Sequence, residues 1–122
     1  MSIGQKKIIS CAKSMVETSN LKKAASVIIT GGVHTMALLE EVAMQCYKKG
    51  AIPLIVITSD KLVQRVYDGV PARTLETTPK AQLAAIKAAD MLIHVEDLDD
   101  PTIATKFPRD KLKARQKAML PI

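Results

Sequence analysis

The chain has no tryptophan, one phenylalanine and two tyrosines. Rings this few, scattered at Tyr47, Tyr67 and Phe107, cannot form the stacked platform on which single-stranded nucleic acid is held. The core must instead be packed from Ile, Leu, Val, Ala and Met. Cysteine is nearly as scarce. Cys11 and Cys46 both fall on predicted helices among apolar neighbours, and are expected to be reduced, buried residues of a cytoplasmic protein rather than a disulfide framework. No apolar run approaches the roughly 18 residues of a membrane span. The N-terminus shows neither the apolar block nor the small-residue cleavage site of a signal peptide. Histidine occurs only at positions 34 and 94. There is no His-Glu-x-x-His helix, no Cys-x-x-Cys pair, no nucleophile elbow and no Walker lysine after the glycines.

The net charge of +6 is uneven. Lys106, Arg109, Lys111, Lys113, Arg115 and Lys117 against Asp110 give the last 17 residues +5 of it. The sequence therefore describes a basic tail on a near-neutral domain. Its charges spread around more than one side of the final helix. This fits a solvated helix better than a nucleic-acid contact.

The organising stretch is residues 26–50. Val27, Ile28 and Ile29 form a β-branched run without alternation, as in a strand buried on both faces. Gly31 and Gly32 are expected to break it. Met36, Leu39, Val42, Ala43 and Cys46 then follow at helical spacing, with Glu40 and Glu41 early and Lys48 and Lys49 late, as the helix dipole favours. Gly50 supplies a left-handed stop, and a second apolar strand follows at 53–58. Strand, turn, helix and strand make one right-handed βαβ unit.

Around this unit the order is α, then β-α-β-α-α-β-α. The first helix covers residues 3–17, with Ile8, Ile9, Ala12, Met15 and Val16 inward. Thr58-Ser59-Asp60 offers caps for a short helix ended by Gly69 and Pro71. Residues 70–78 read as a loop. Thr78-Pro79 starts an Ala-rich helix, Met91 to Val95 form the third strand, and Asp100-Pro101 is a further cap. Pro108 opens the last helix, with Leu112 and Met119 inward. The alternation predicts an α/β three-layer sandwich with a short parallel sheet in order 2-1-3, a partial Rossmann-like or flavodoxin-like domain. The first strand lies in the centre.

Ligands of open α/β sheets bind beyond the carboxyl ends of the strands, and three loops end there. Thr30-Gly31-Gly32-Val33-His34-Thr35 is one. Gly31, Gly32, His34 and Thr35 can cradle an anion at a helix N-terminus, although the loop reads better as a structural turn. Thr58-Ser59-Asp60 reads as a helix cap. The third, His94-Val95-Glu96-Asp97-Leu98-Asp99-Asp100, offers His94, Glu96 and Asp97 as ligands for a hard metal. Its spacing matches no EF-hand or zinc signature, and a solvated acidic loop is the plainer reading.

Several segments together resemble the N-terminal domain of the aminopeptidase T family, the thermophilic-type metallo-aminopeptidases also called leucyl aminopeptidase. They are Glu17-Thr18-Ser19 ending the first helix, Val27-Ile28-Ile29-Thr30-Gly31, and Leu38-Leu39-Glu40-Glu41-Val42. Tyr47 through Pro53, Ala88-Ala89-Asp90 and Arg115-Gln116-Lys117-Ala118 complete the set. The resemblance covers nearly the whole chain as a pattern and includes no diagnostic motif. It implies a longer, two-domain hydrolase that removes N-terminal residues from peptides with two divalent metal ions, zinc or cobalt. The implied metal ligands lie in the C-terminal domain, and none maps onto this chain. No catalytic residue is carried over, no cofactor is expected in this chain, and the chain alone is expected to be inactive.

Residues 1–122 are then expected to be a single α/β domain, the N-terminal part of that enzyme. The apolar ending Ala-Met-Leu-Pro-Ile agrees with a continuation. Its partners are expected to be a C-terminal catalytic domain or a second copy, with peptide as the substrate, and neither nucleic acid nor membrane. Two alternatives stand beside this. One is a stand-alone small-ligand-binding or assembly module. The other is the N-terminal domain of a related iron-dependent dioxygenase that cleaves dihydroxypyridine rings.

Overall fold

The computed structural model describes residues 3–95 and 105–121. Three parallel strands, β1 (Ser26–Gly32), β2 (Ile52–Thr58) and β3 (Met91–His94), form one sheet in the order β2-β1-β3. The expected central position of the first strand is borne out. In register, Ile28 lies between Leu54 and Leu92, and Thr30 lies between Val56 and His94.

Gly31 and Gly32 do not interrupt β1. They extend it, opposite Ile57 and Thr58, because Gly32 takes an extended conformation (φ −74°, ψ 154°) and the parallel ladder with β2 continues through it. A single 3-10 turn, Val33–Thr35, leads into α2 (Met36–Lys48). Leu39, Val42, Ala43 and Cys46 are buried along its inner stripe. Gly50 closes the unit in the left-handed region at φ 81°, as its position after the helix predicts.

One face of the sheet carries Val27, Ile29, Ile93 and Ile55 into the core, where they meet α2. The first helix, α1 (Ile3–Thr18), packs on α2 through the buried Ala12 and Val16. The buried stripe is narrow because α1 lies outside α2. Cys11, one helical step from Ala12, therefore points to solvent instead of into the core. Cys46 is buried, and desolvation raises its thiol pKa. Between α1 and β1, Asn20 and Ala24 adopt left-handed φ of 55° and 63°. The second is held by an N–H donated to the Gly50 carbonyl at 2.8 Å.

The other face carries Ile28, Leu54, Val56 and Leu92. The helix α5 (Lys80–Ala88) approaches it through Ala85 and Ala88, completing the third layer. The cover is thin, and Leu54 and Leu92 remain about half exposed (54% and 50%). Two helices, α3 (Asp60–Gly69) and α4 (Ala72–Leu75), precede α5. The second replaces part of the loop expected at 70–78, because Leu75 finds a buried site.

The last helix, α6 (Arg109–Met119), packs against α4. Its buried residues are Ala114 and Ala118, with Leu112 and Met119 half-buried beside them. Small side chains let two helices approach closely, so the alanines rather than the larger residues face the contact. Thr78 does not cap α5. Its hydroxyl donates to the Ala118 carbonyl at 2.7 Å and ties the start of α5 to the end of α6. The cap expected at Asp100 lies outside the described residues.

Candidate functional site

At the carboxyl ends of the three strands the sheet opens into a cleft of about 520 Å³. Each strand contributes a polar residue to it: Thr30 from β1, Thr58 from β2 and His94 from β3. A parallel sheet brings these ends to one edge. In the order 2-1-3 the chain leaves β1 for α2 on one face of the sheet and leaves β2 for the helices leading to α5 on the other, which opens a crevice at the strand ends. Thr30 Oγ1 and His94 Nδ1 are hydrogen-bonded at 2.7 Å across adjacent strands, which fixes the imidazole against β1.

Helices supply the rest of the polar lining. Ser59 stands at the start of α3, where its Oγ accepts from the Leu62 N–H at 3.4 Å, so the expected cap is present. Gln82 comes from α5 and Arg115 from α6. The position of Arg115 follows from the anchoring of α6. Lys111 Nζ donates to the Tyr67 carbonyl of α3 at 2.8 Å. The Tyr67 and Phe107 rings stack at 4.2 Å with 10° between planes. Thr78 holds the other end of the helix.

The glycine loop has a different character. A Cβ on Gly31 would lie 2.9 Å from Leu39 Cδ2, 2.9 Å from Thr35 Oγ1 and 3.2 Å from Val95 Cβ. The missing side chain is therefore what lets α2 pack against the end of β1. The Thr35 hydroxyl donates to the Gly32 carbonyl at 2.7 Å, and both glycines are buried while His34 is exposed. His34 does not join the cleft lining, whereas His94 does.

Glu96 and Asp97, the other two proposed metal ligands, lie outside the described residues. Among the described residues no three His, Cys, Asp or Glu side chains converge as a metal site. The described donor set thus does not fit a two-metal centre.

Sequence reasoning missed Arg115 and Gln82. The signal for Arg115 was present in the spacing of Ala114 and Ala118, which mark the buried stripe of α6 and leave Arg115 on its border. Reading the helix only by its charge hid this.

A family model for thermophilic metalloproteases (M29) matches residues 5–122. Among solved structures, wild-type AmpT from Thermus thermophilus is similar, with a TM-score of 0.70 at 20% identity. That match covers 93% of this chain, and the chain spans about 30% of the length of AmpT. No curated protein matches the chain.

Proposed function

Because the chain belongs to the thermophilic metalloprotease (M29) family, we propose that it serves as the non-catalytic N-terminal α/β unit of a cytoplasmic metal-dependent aminopeptidase. The observation that carries this reading is the family match over residues 5–122, on a chain spanning about 30% of the similar solved protein. In this reading the unit contributes to dimerisation and to the wall of the cavity through which peptides reach the metals. Two divalent ions, zinc or cobalt, would supply an activated water and polarise the scissile carbonyl. Their ligands would come from the remainder of the enzyme. No step of that chemistry is assigned to the described residues.

The test is an assay of the 122-residue chain with cobalt or zinc on leucyl chromogenic substrates. The expected result is no turnover above the metal-only blank. Metal-dependent turnover abolished by a chelator would refute the reading. His94, Glu96 and Asp97 would then be the first residues to replace.

A further inference from the structure

Concave surfaces of the described part of the molecule include four of differing chemistry. The one at the amino ends of the strands is walled largely by the 20–25 loop and Asp90, whose carboxylate already accepts the Ser26 N–H at 2.8 Å. The groove between α1 and α2 offers Gln5 and two glutamates around apolar residues. The groove beneath α5 is almost wholly apolar. Of these four, the strand-end cleft sets one cation among several hydroxyl and amide groups against an apolar wall.

From this cleft we infer a binding site for a small molecule that joins a carboxylate to an apolar body. Its volume, about 520 Å³, falls within the range of about 300–1,000 Å³ typical of small-ligand sites. Leu62, Ile86 and Leu92 supply an apolar floor and walls. Leu62 and Leu92 are 59% and 50% exposed, so a branched aliphatic group placed there would leave water. No carboxylate occurs among the described lining residues, and Arg115 is their one fixed charge. A guanidinium presents a planar fork that matches a carboxylate in two parallel hydrogen bonds. Among the described lining residues, that one guanidinium matches one carboxylate. The Gln82 amide, and the hydroxyl capacity that Thr30 keeps beside its bond to His94, offer neutral groups that can bind a peptide or amide next to the carboxylate. The chemistry is that of a leucine-like carboxyl terminus. It is shared by free N-acylated amino acids and by the ends of short peptides.

This inference does not depend on the peptidase reading, since it concerns binding to this chain and no hydrolysis. The test is a titration of the 122-residue chain, followed by backbone amide NMR, with N-acetyl-leucine, its carboxamide and the peptide Ala-Ala-Leu. The expected result is saturable shifts at Thr30, Thr58 and His94, with the carboxamide bound roughly tenfold or more weakly, as loss of a charge-assisted bond implies. Arg115→Gln should lose the same factor for the acid, and Arg115→Lys should retain part of it. Tighter binding of Ala-Ala-Leu supports the site as a reader of peptide ends, and equal binding supports one for free acids. Carboxamide bound as well as acid, affinity unchanged in Arg115→Gln, or shifts confined to other surfaces would overturn the inference. Should Arg115→Gln fail to fold, the acid and carboxamide pair on the unaltered chain decides.

Discussion

Replacing Gly31 by alanine puts a methyl group where the structure has no room. The new carbon would sit 2.9 Å from Leu39 Cδ2 and 3.2 Å from Val95 Cβ, against ordinary carbon contacts of about 3.5–4.0 Å. Leu39 is fully buried, so it cannot swing into solvent to make way. Overpacking of this kind costs about 1–3 kcal/mol. The loss of glycine's freedom in the unfolded chain returns about 0.4–1 kcal/mol. The net expectation is a destabilisation of about 1–2 kcal/mol, or a fall of about 4–8 °C in Tm for a domain of this size. Urea and thermal unfolding followed by far-ultraviolet circular dichroism measure it, since there is no tryptophan to report by fluorescence.

Two other glycines calibrate the result. Gly69→Ala meets nothing within 4 Å at the end of α3 and should be neutral or stabilising by up to about 1 kcal/mol. Gly50→Ala, at φ 81°, should cost about 1–2 kcal/mol through the left-handed backbone. A Gly31→Ala chain as stable as the parent, with Gly50→Ala destabilised as stated, refutes the packing role of Gly31. The anion cradle would then be the better account of the loop.

The same packing has four further consequences. Exposed Cys11 should react with a thiol reagent in the native state, and buried Cys46 only on unfolding; two rapidly reacting native thiols would contradict the burial. Burial raises the Cys46 pKa in the folded state, so the folded chain holds that proton to higher pH than the unfolded chain. Its contribution to stability is complete below the unfolded thiol range and is lost as pH rises from there through the raised pKa of the folded state. Cys46→Ala should flatten that part of the pH profile even as the lost sulfur lowers stability throughout. Thr78→Val should destabilise by about 1 kcal/mol through loss of the bond to the Ala118 carbonyl, and a chain of unchanged stability would remove that bond from the account of how α6 is held. Finally, β2 and β3 are the sheet edges among the described residues, and Ile52, Leu54, Val56 and Ile57 are exposed on β2. Such an edge recruits partners. Light scattering at tens of micromolar should therefore show self-association that persists at high salt, where the basic tail is screened. A strict monomer at both low and high ionic strength would reject it.

How the sheet and helices are ordered was legible from residue type alone. Val27-Ile28-Ile29 cannot leave a branched apolar run in water, and the spacing of Leu39, Val42, Ala43 and Cys46 fits one helical stripe. The strand order follows from short parallel connections, and Gly50 from the need to turn left after a helix. The family resemblance was legible too, as a pattern spread along these same elements. Sequence could not decide which faces are thickly covered. Cys11 and Cys46 look alike in their local context. One is exposed because α1 lies outside α2, while the other is sealed between α2 and the sheet. Gly31 and Gly32 looked like a break because glycine disfavours strands in isolation, yet pairing with β2 carries the strand through them. Thr78 has the local chemistry of a cap, and only the arrival of Ala118, 40 residues later, gives its hydroxyl a different partner. The cleft is likewise a tertiary product. Its Thr30, Thr58 and His94 share an edge because the strands are parallel, and Arg115 reaches that edge because two alanines set the rotation of α6. Local propensity fixes what each segment becomes, but the meeting of side chains from distant segments depends on packing that no single segment contains.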